Sequence, residues 1–206
     1  MKKSIFKQGE KYTFKDYFDL PHPIDDIVAE LGYSYTLGVI DLPQSATYNL
    51  DSIVALKQNY YQVLPKISLR SEVAKREFLI APILFEVAKG TQAKINMEYP
   101  IEVDDKLGGY LDYLIQAKQN LIVIEAKKRD IDRGFNQLAA ALVALDKQEE
   151  GNQKILYGAI TIGKMWVFST LNRQTKQIQK DLHHFTIPED VENIVQILVG
   201  IIEAET

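Results

Sequence analysis

The sequence contains no cysteine. Disulfide scaffolds, thiolate zinc sites, iron–sulfur clusters and cysteine nucleophiles are therefore excluded. Histidine is almost as scarce, with only His22, His183 and His184, so a His-rich zinc site or a Ser-His-Asp triad would have to draw on those three. No apolar run reaches the ~20 residues of a membrane span. The most apolar stretch, Ile194 to Ile202, is interrupted by Gln196. The opening MKKSIFKQGEKYTF lacks the apolar core of a secretory signal, so the expectation is a cytoplasmic protein with no membrane attachment. Positive charge is not in excess either. The 24 Lys and Arg against 28 Asp and Glu give a net charge of −4, which argues against a generally basic nucleic-acid coat but allows a local basic patch. Internal repeats and low-complexity tracts are also missing.

What is present is ordinary for a folded chain. With 206 residues, 46% hydrophobic and 25% charged, the length suits one large domain, or one domain with an appendage. Residues 1–65 differ from the rest: four of the seven prolines lie there, tyrosine is frequent and periodicity is weak. Pro23 followed by Ile24, Ile27, Val28, Leu31 and Gly32 reads as a short helix, and a second is expected around 51–61. This region reads as a mostly helical N-terminal appendage, with residues 66–206 forming the main domain.

From Ser68 the pattern sharpens. Leu69, Val73, Arg76, Ile80, Leu84 and Val87 recur at helical steps, with Ser68 or Ser71 able to cap the start and Gly90 to stop it. Pro82 falls inside this helix and should kink or split it. Extended runs follow at 94–101, 109–116 and 120–127. Next comes a helix over 132–148 with Phe135, Leu138, Leu142 and Leu145 on its buried stripe. Strands are expected near 155–162, 165–169 and 182–187, then a closing helix opened by Pro188-Glu189-Asp190. The order predicts an α/β fold, a mixed central sheet flanked by helices around an α-β-β-β-α-β core.

Two of those strands carry chemistry. Leu121 to Ile124 are four consecutive branched apolar residues, which require cover on both faces. Such a strand should not end in Glu125-Ala126-Lys127 unless the charges serve something. Glu125 and Lys127 share a face by period two. If the preceding strand pairs with this one through a hairpin centred between Lys118 and Gln119, Asp112 lies opposite Glu125, with Cβ atoms roughly 5 Å apart. Two carboxylates so placed repel unless one takes a proton or a cation sits between them. Hard oxygen donors of this kind suit Mg²⁺ or Mn²⁺.

Gly109-Tyr110-Leu111-Asp112-Tyr113, then Ile124-Glu125-Ala126-Lys127-Lys128, then Gln137, resemble the PD-(D/E)XK nuclease superfamily. Ser71-Glu72-Val73-Ala74-Lys75-Arg76 with Ile80-Ala81-Pro82-Ile83-Leu84 is similar to the first helix of its restriction-subunit nuclease domains. The resemblance spans residues 68–145, with Leu111 standing where the "PD" half-motif has proline. It implies a restriction-endonuclease-like fold and a metal-dependent nuclease acting on DNA, with endonuclease and exonuclease action both open. It further implies that Asp112, Glu125 and the carbonyl of Ala126 bind Mg²⁺ or Mn²⁺, with Glu72 completing the shell through water or holding a second ion. Lys127 would orient or deprotonate the attacking water or neutralise developing charge, and Gln137 would orient the metal water, the lysine or the nucleic-acid backbone. Lys128, Arg129 and Arg133 would hold phosphates. A homodimer is compatible with cutting both strands.

Plainer readings stand beside these. Glu125 and Lys127 could be an exposed strand-end pair, Glu72 a first-turn acid favoured by the helix dipole, with Glu77 as its rival on the same helix. Gln137 could be a solvent-face residue, and Lys128-Arg129-Asp130 a solvated loop. His183-His184 reads as a strand end, Asp104-Asp105-Lys106 as a turn, Trp166 and the tyrosines as core or interface. Gly108-Gly109 would allow close approach of another backbone or of a phosphate. The alternative to an enzyme is a nuclease-fold protein with weak or no catalysis, serving as a nucleic-acid-binding or protein-interaction module. A third reading is an acidic structural domain with no ligand.

Overall fold

The computed structural model describes residues 4–45, 50–118, 120–127, 130–149, 151 and 153–204. The apolar run Leu121–Ala126 forms strand β4, and Ile122, Val123 and Ile124 are fully buried on alternating faces. It lies inside a mixed sheet, between β3 (Leu107–Gln116) and β5 (Ile155–Thr161). The sheet is completed by β1 (Ser34–Gly38), β2 (Lys94–Asp104), β6 (Met165–Asn172) and β7 (Gln177–Asp181), in the order β1-β7-β6-β5-β4-β3-β2, and the short β8 (Phe185–Thr186) pairs with β6. The β4–β5 and β1–β7 pairs are parallel and the others antiparallel. Parallel β4 and β5 need a crossover, which α5 (Ile131–Gln148) supplies.

Helices cover both faces. On one side α5 packs Phe135, Leu138 and Leu142 against Val123, Ile160 and Val167. On the other, α2 (Leu50–Val63), α4 (Ala81–Gly90) and α6 (Val191–Glu203) pack with Ile122, Ile124, Ala159 and Phe168. The fold is therefore α/β, with a mixed sheet between helical layers. Among the described residues no helix is long and apolar enough to cross a membrane.

Three features differ from the sequence expectation. First, α5 is buried nearly all round, not on one stripe: Ala139, Ala140, Ala141 and Ala144 are as inaccessible as Leu138. Its outer face is covered by the N-terminal region, where Phe14, Tyr17, Ile27 and Val28 join the same core. Residues 34–38 also enter the sheet as β1, so this region shares one core with the rest. The strand start at Gly109 (φ +130) lies against it: a Cβ there would stand 3.4 Å from the backbone nitrogen of Phe14. Second, β1 and β7 are strands that hydrophobic periodicity does not mark, and the strand expected over 182–187 shrinks to Phe185–Thr186. Third, the Pro82 helix neither stops nor splits. A short turn α3 (Glu72–Lys75) runs into a π-helical turn over Arg76–Ile80 and then α4, with Pro82 in its first turn. Proline has no N–H and crowds the carbonyl four residues back; the wider turn just before it accommodates both.

At the far end of α5, Asp146 is held by Tyr33 (2.6 Å), Arg173 (2.8 Å) and Lys176 (2.7 Å). Burial disfavours its charge. Hydrogen bonds from Lys176, Tyr33 and Arg173 outweigh that and keep its carboxyl below the usual range.

Candidate active site

The β3–β4 hairpin sets the geometry. Tyr113 pairs with Ile124 and Gln116 with Leu121, the register expected from a turn centred between residues 118 and 119. Continued by one residue it brings Asp112 to Glu125, but the ladder stops there. The Asp112 carboxylate instead accepts the backbone N–H of Ala126 at 2.8 Å, taking the place of a strand partner. On the other side the backbone N–H of Lys127 still donates to Thr161 of β5 at 2.7 Å. The end of β4 is thus fixed from both sides.

Five groups converge there. The ammonium of Lys127 lies 3.0 Å from Asp112 Oδ2, 3.1 Å from Glu125 Oε2 and 3.1 Å from the Ala126 carbonyl. Gln137, one turn into the buried part of α5, donates to Glu125 Oε2 at 2.6 Å. Glu125 is fully buried, and its second oxygen, Oε1, has no hydrogen-bond partner among the described residues. Burial, then the charge of Asp112, push the Glu125 carboxyl up to about 8 against the opposing pull of Lys127. For Lys127, burial works against the charged ammonium, yet Glu125 and Asp112 together hold its pKa above the ordinary lysine value. Gly134 lets α5 approach this closely: a Cβ there would meet Lys127 Cγ at 3.0 Å and Ile160 Cδ1 at 2.9 Å.

Of the residues singled out from sequence, Asp112, Glu125, Lys127, the Ala126 carbonyl and Gln137 come together. Glu72 opens α3, half-buried, and no hydrogen bond or ion pair joins it to them among the described residues. Glu77 is exposed. Arg133 is exposed in the first turn of α5, 3.5 Å from the capping carboxylate of Asp130. Lys128 and Arg129 lie outside the described residues. Sequence reasoning did not pick out Arg76 as a site residue. It opens the π-turn, stacks over the Tyr113 ring at 5.1 Å, donates to the Tyr113 hydroxyl at 3.3 Å and stands 3.9 Å from both Asp112 and Glu98. Its helical spacing puts it on the stripe with Val73 and Ile80 and assigns it no part in the site; only the π-turn, where such irregularities often mark functional positions, gives it away.

Among the described residues no three carboxylate or histidine side chains gather to hold a metal ion. The donor set is two carboxylates and one carbonyl, all hard oxygens, with one buried oxygen unpartnered. That chemistry fits Mg²⁺ or Mn²⁺ with water filling the remaining positions. Compared with models of known protein families and with curated proteins, the chain matches none.

Proposed function

We propose that this protein is a metal-dependent nuclease of the PD-(D/E)XK type that hydrolyses phosphodiester bonds in DNA. The observation that carries this reading is the convergence of Asp112, Glu125 and the Ala126 carbonyl on the Lys127 ammonium, beside a buried oxygen of Glu125 with no partner. The helix-strand-strand-strand-helix-strand order around them supports it. Asp112, Glu125 and the Ala126 carbonyl would hold Mg²⁺ or Mn²⁺. When bound, the ion polarises a phosphodiester oxygen and acidifies a water. Gln137 fixes one oxygen of Glu125 and leaves the other to the ion. Lys127, held by three acceptors, is placed to orient the attacking water and to offset charge developing on the phosphate. Arg76 lies close enough to Asp112 to share the charge of the site.

A second reading has an observation of its own. The two acids are closed on Lys127, and among the described residues no third acid joins them, which suits a nuclease fold retained for binding nucleic acid or protein. Incubation of the purified protein with Mg²⁺ or Mn²⁺ and plasmid, linear duplex, single-stranded DNA or RNA separates the two. Cleavage should require the metal, stop with EDTA, and fall at least about a hundredfold in Asp112→Asn, Glu125→Gln and Lys127→Ala. Cutting that survives all three changes rejects the site. Salt-sensitive DNA retention without hydrolysis supports the binding module. In the nuclease reading the protein works in the cytoplasm, and a second copy supplies the cut in the other strand; sedimentation with and without duplex DNA tests the pairing.

A further inference from the structure

On the other flank of the α5 start lies a cavity of about 620 Å³, between the Leu20–Ile24 segment, β1 and β7. Its size is that of a small-molecule site. Pro21 and Pro23 line one side, and Tyr35 and Phe135 the other, their rings 5.9 Å apart and edge to face. Asn136 also lines it. That side chain is only 6% exposed, and among the described residues its amide forms no hydrogen bond. Its polar atoms are not among those sealed from solvent without a partner, so water reaches the amide through the cavity and a ligand can replace that water. Among the described residues the Tyr35 hydroxyl has no hydrogen-bond partner either. Lys180 does not supply a free cation: it is 2.6 Å from Asp132 and 5.0 Å from the centre of the Phe135 ring. The interior therefore suits an uncharged flat ring with a hydrogen-bonding edge. Arg133, exposed beside the cavity, is placed for an attached phosphate.

We propose that this cavity binds a nucleobase, with Asn136 pairing to the base edge and the aromatic and proline walls holding its faces. An asparagine amide offers a donor and an acceptor side by side, the pattern that the hydrogen-bonding edge of a base complements. The choice of a nucleobase over another flat heterocycle rests on the nuclease reading; the existence of the pocket does not. Both sites use the first turns of α5, Gly134 and Gln137 on one flank and Asn136 on the other. A nucleotide of the substrate strand seated here would position the chain relative to the carboxylates.

The test is titration of the full chain, in EDTA, with adenosine, cytidine, uridine and adenosine monophosphate, followed by NMR or calorimetry. The nucleosides should bind, and the monophosphate should bind more tightly than adenosine. Asn136→Leu should weaken adenosine at least about tenfold while keeping the cooperative melting of the parent. Glu125→Gln should leave nucleoside binding unchanged. If Asn136→Leu does not fold, Tyr35→Phe serves, with a loss of a few-fold expected. No binding of any nucleoside, or equal binding by a folded Asn136→Leu, overturns the pocket and leaves the nuclease reading standing. Nucleoside binding without any cleavage overturns the nuclease reading and leaves the pocket.

Discussion

Glu125 concentrates the chemical tension of the molecule. Its carboxyl titrates near 8 in the fold, because burial and Asp112 oppose its charge, against about 4.3 in an unfolded chain. A carboxyl whose pKa is raised on folding binds its proton more tightly when folded. The fold is therefore favoured at low pH and loses stability as pH rises from the unfolded value toward about 8. Glu125→Gln removes that loss. In EDTA at pH 8 this variant should be more stable to urea than the parent, by about 1–3 kcal/mol, with the gain shrinking toward pH 5. A destabilised variant at pH 8 would mean that Lys127 holds Glu125 ionised and that the carboxylate stabilises the fold. The pair Asp112/Glu125 was legible in the sequence because a short hairpin fixes its register arithmetically, and Lys127 follows by period two. Gln137 was legible only as one of two readings, because its burial depends on what covers α5. Arg76 was not, since its placement comes from a π-turn that no residue pattern announces.

The elements were legible where apolar period and tertiary burial agree, as in β4, β5, β6 and α6. They were not where burial is polar. In β7, Gln177-Ile178-Gln179-Lys180-Asp181 carries one apolar residue, yet Lys180 and Asp181 are buried; Lys180 is inside because Asp132 and the Phe135 ring receive it. Helix α5 shows what an element contributes to the site. Its first turn must lie against Lys127, and Gly134 permits that. In Gly134→Ala the helix gains about 1 kcal/mol of propensity, and the added methyl costs about 1–3 kcal/mol of overpacking. Ile160 Cδ1, a side-chain end, can move cheaply, whereas Lys127 Cγ carries the ammonium with it. Stability should therefore change by no more than about 2 kcal/mol, while cleavage falls at least about tenfold through kcat. Equal kcat in a folded Gly134→Ala would show that the approach of α5 does not place the ammonium.

At the scale of the whole molecule, the question is whether residues 1–65 are an appendage. Phe14, Tyr17, Ile27 and Val28 are each at most 1% exposed, and each such burial is worth about 1.5–3 kcal/mol. Together they amount to about 6–12 kcal/mol, comparable to the whole stability of a domain, about 5–15 kcal/mol. Two long-range bonds add to this, from Tyr17 to the Lys106 carbonyl at 2.7 Å and from Tyr33 to Asp146 at 2.6 Å. Without them the outer face of α5 would meet water, and α5 is the element that both carries Gln137 and lines the neighbouring cavity. A chain beginning at Lys66 should therefore lose cooperative melting and dispersed amide signals, whereas the full chain keeps both. If residues 66–206 alone melt within a few degrees of the full protein, the N-terminal region is an appendage after all, and the support for α5 lies entirely in the sheet beneath it.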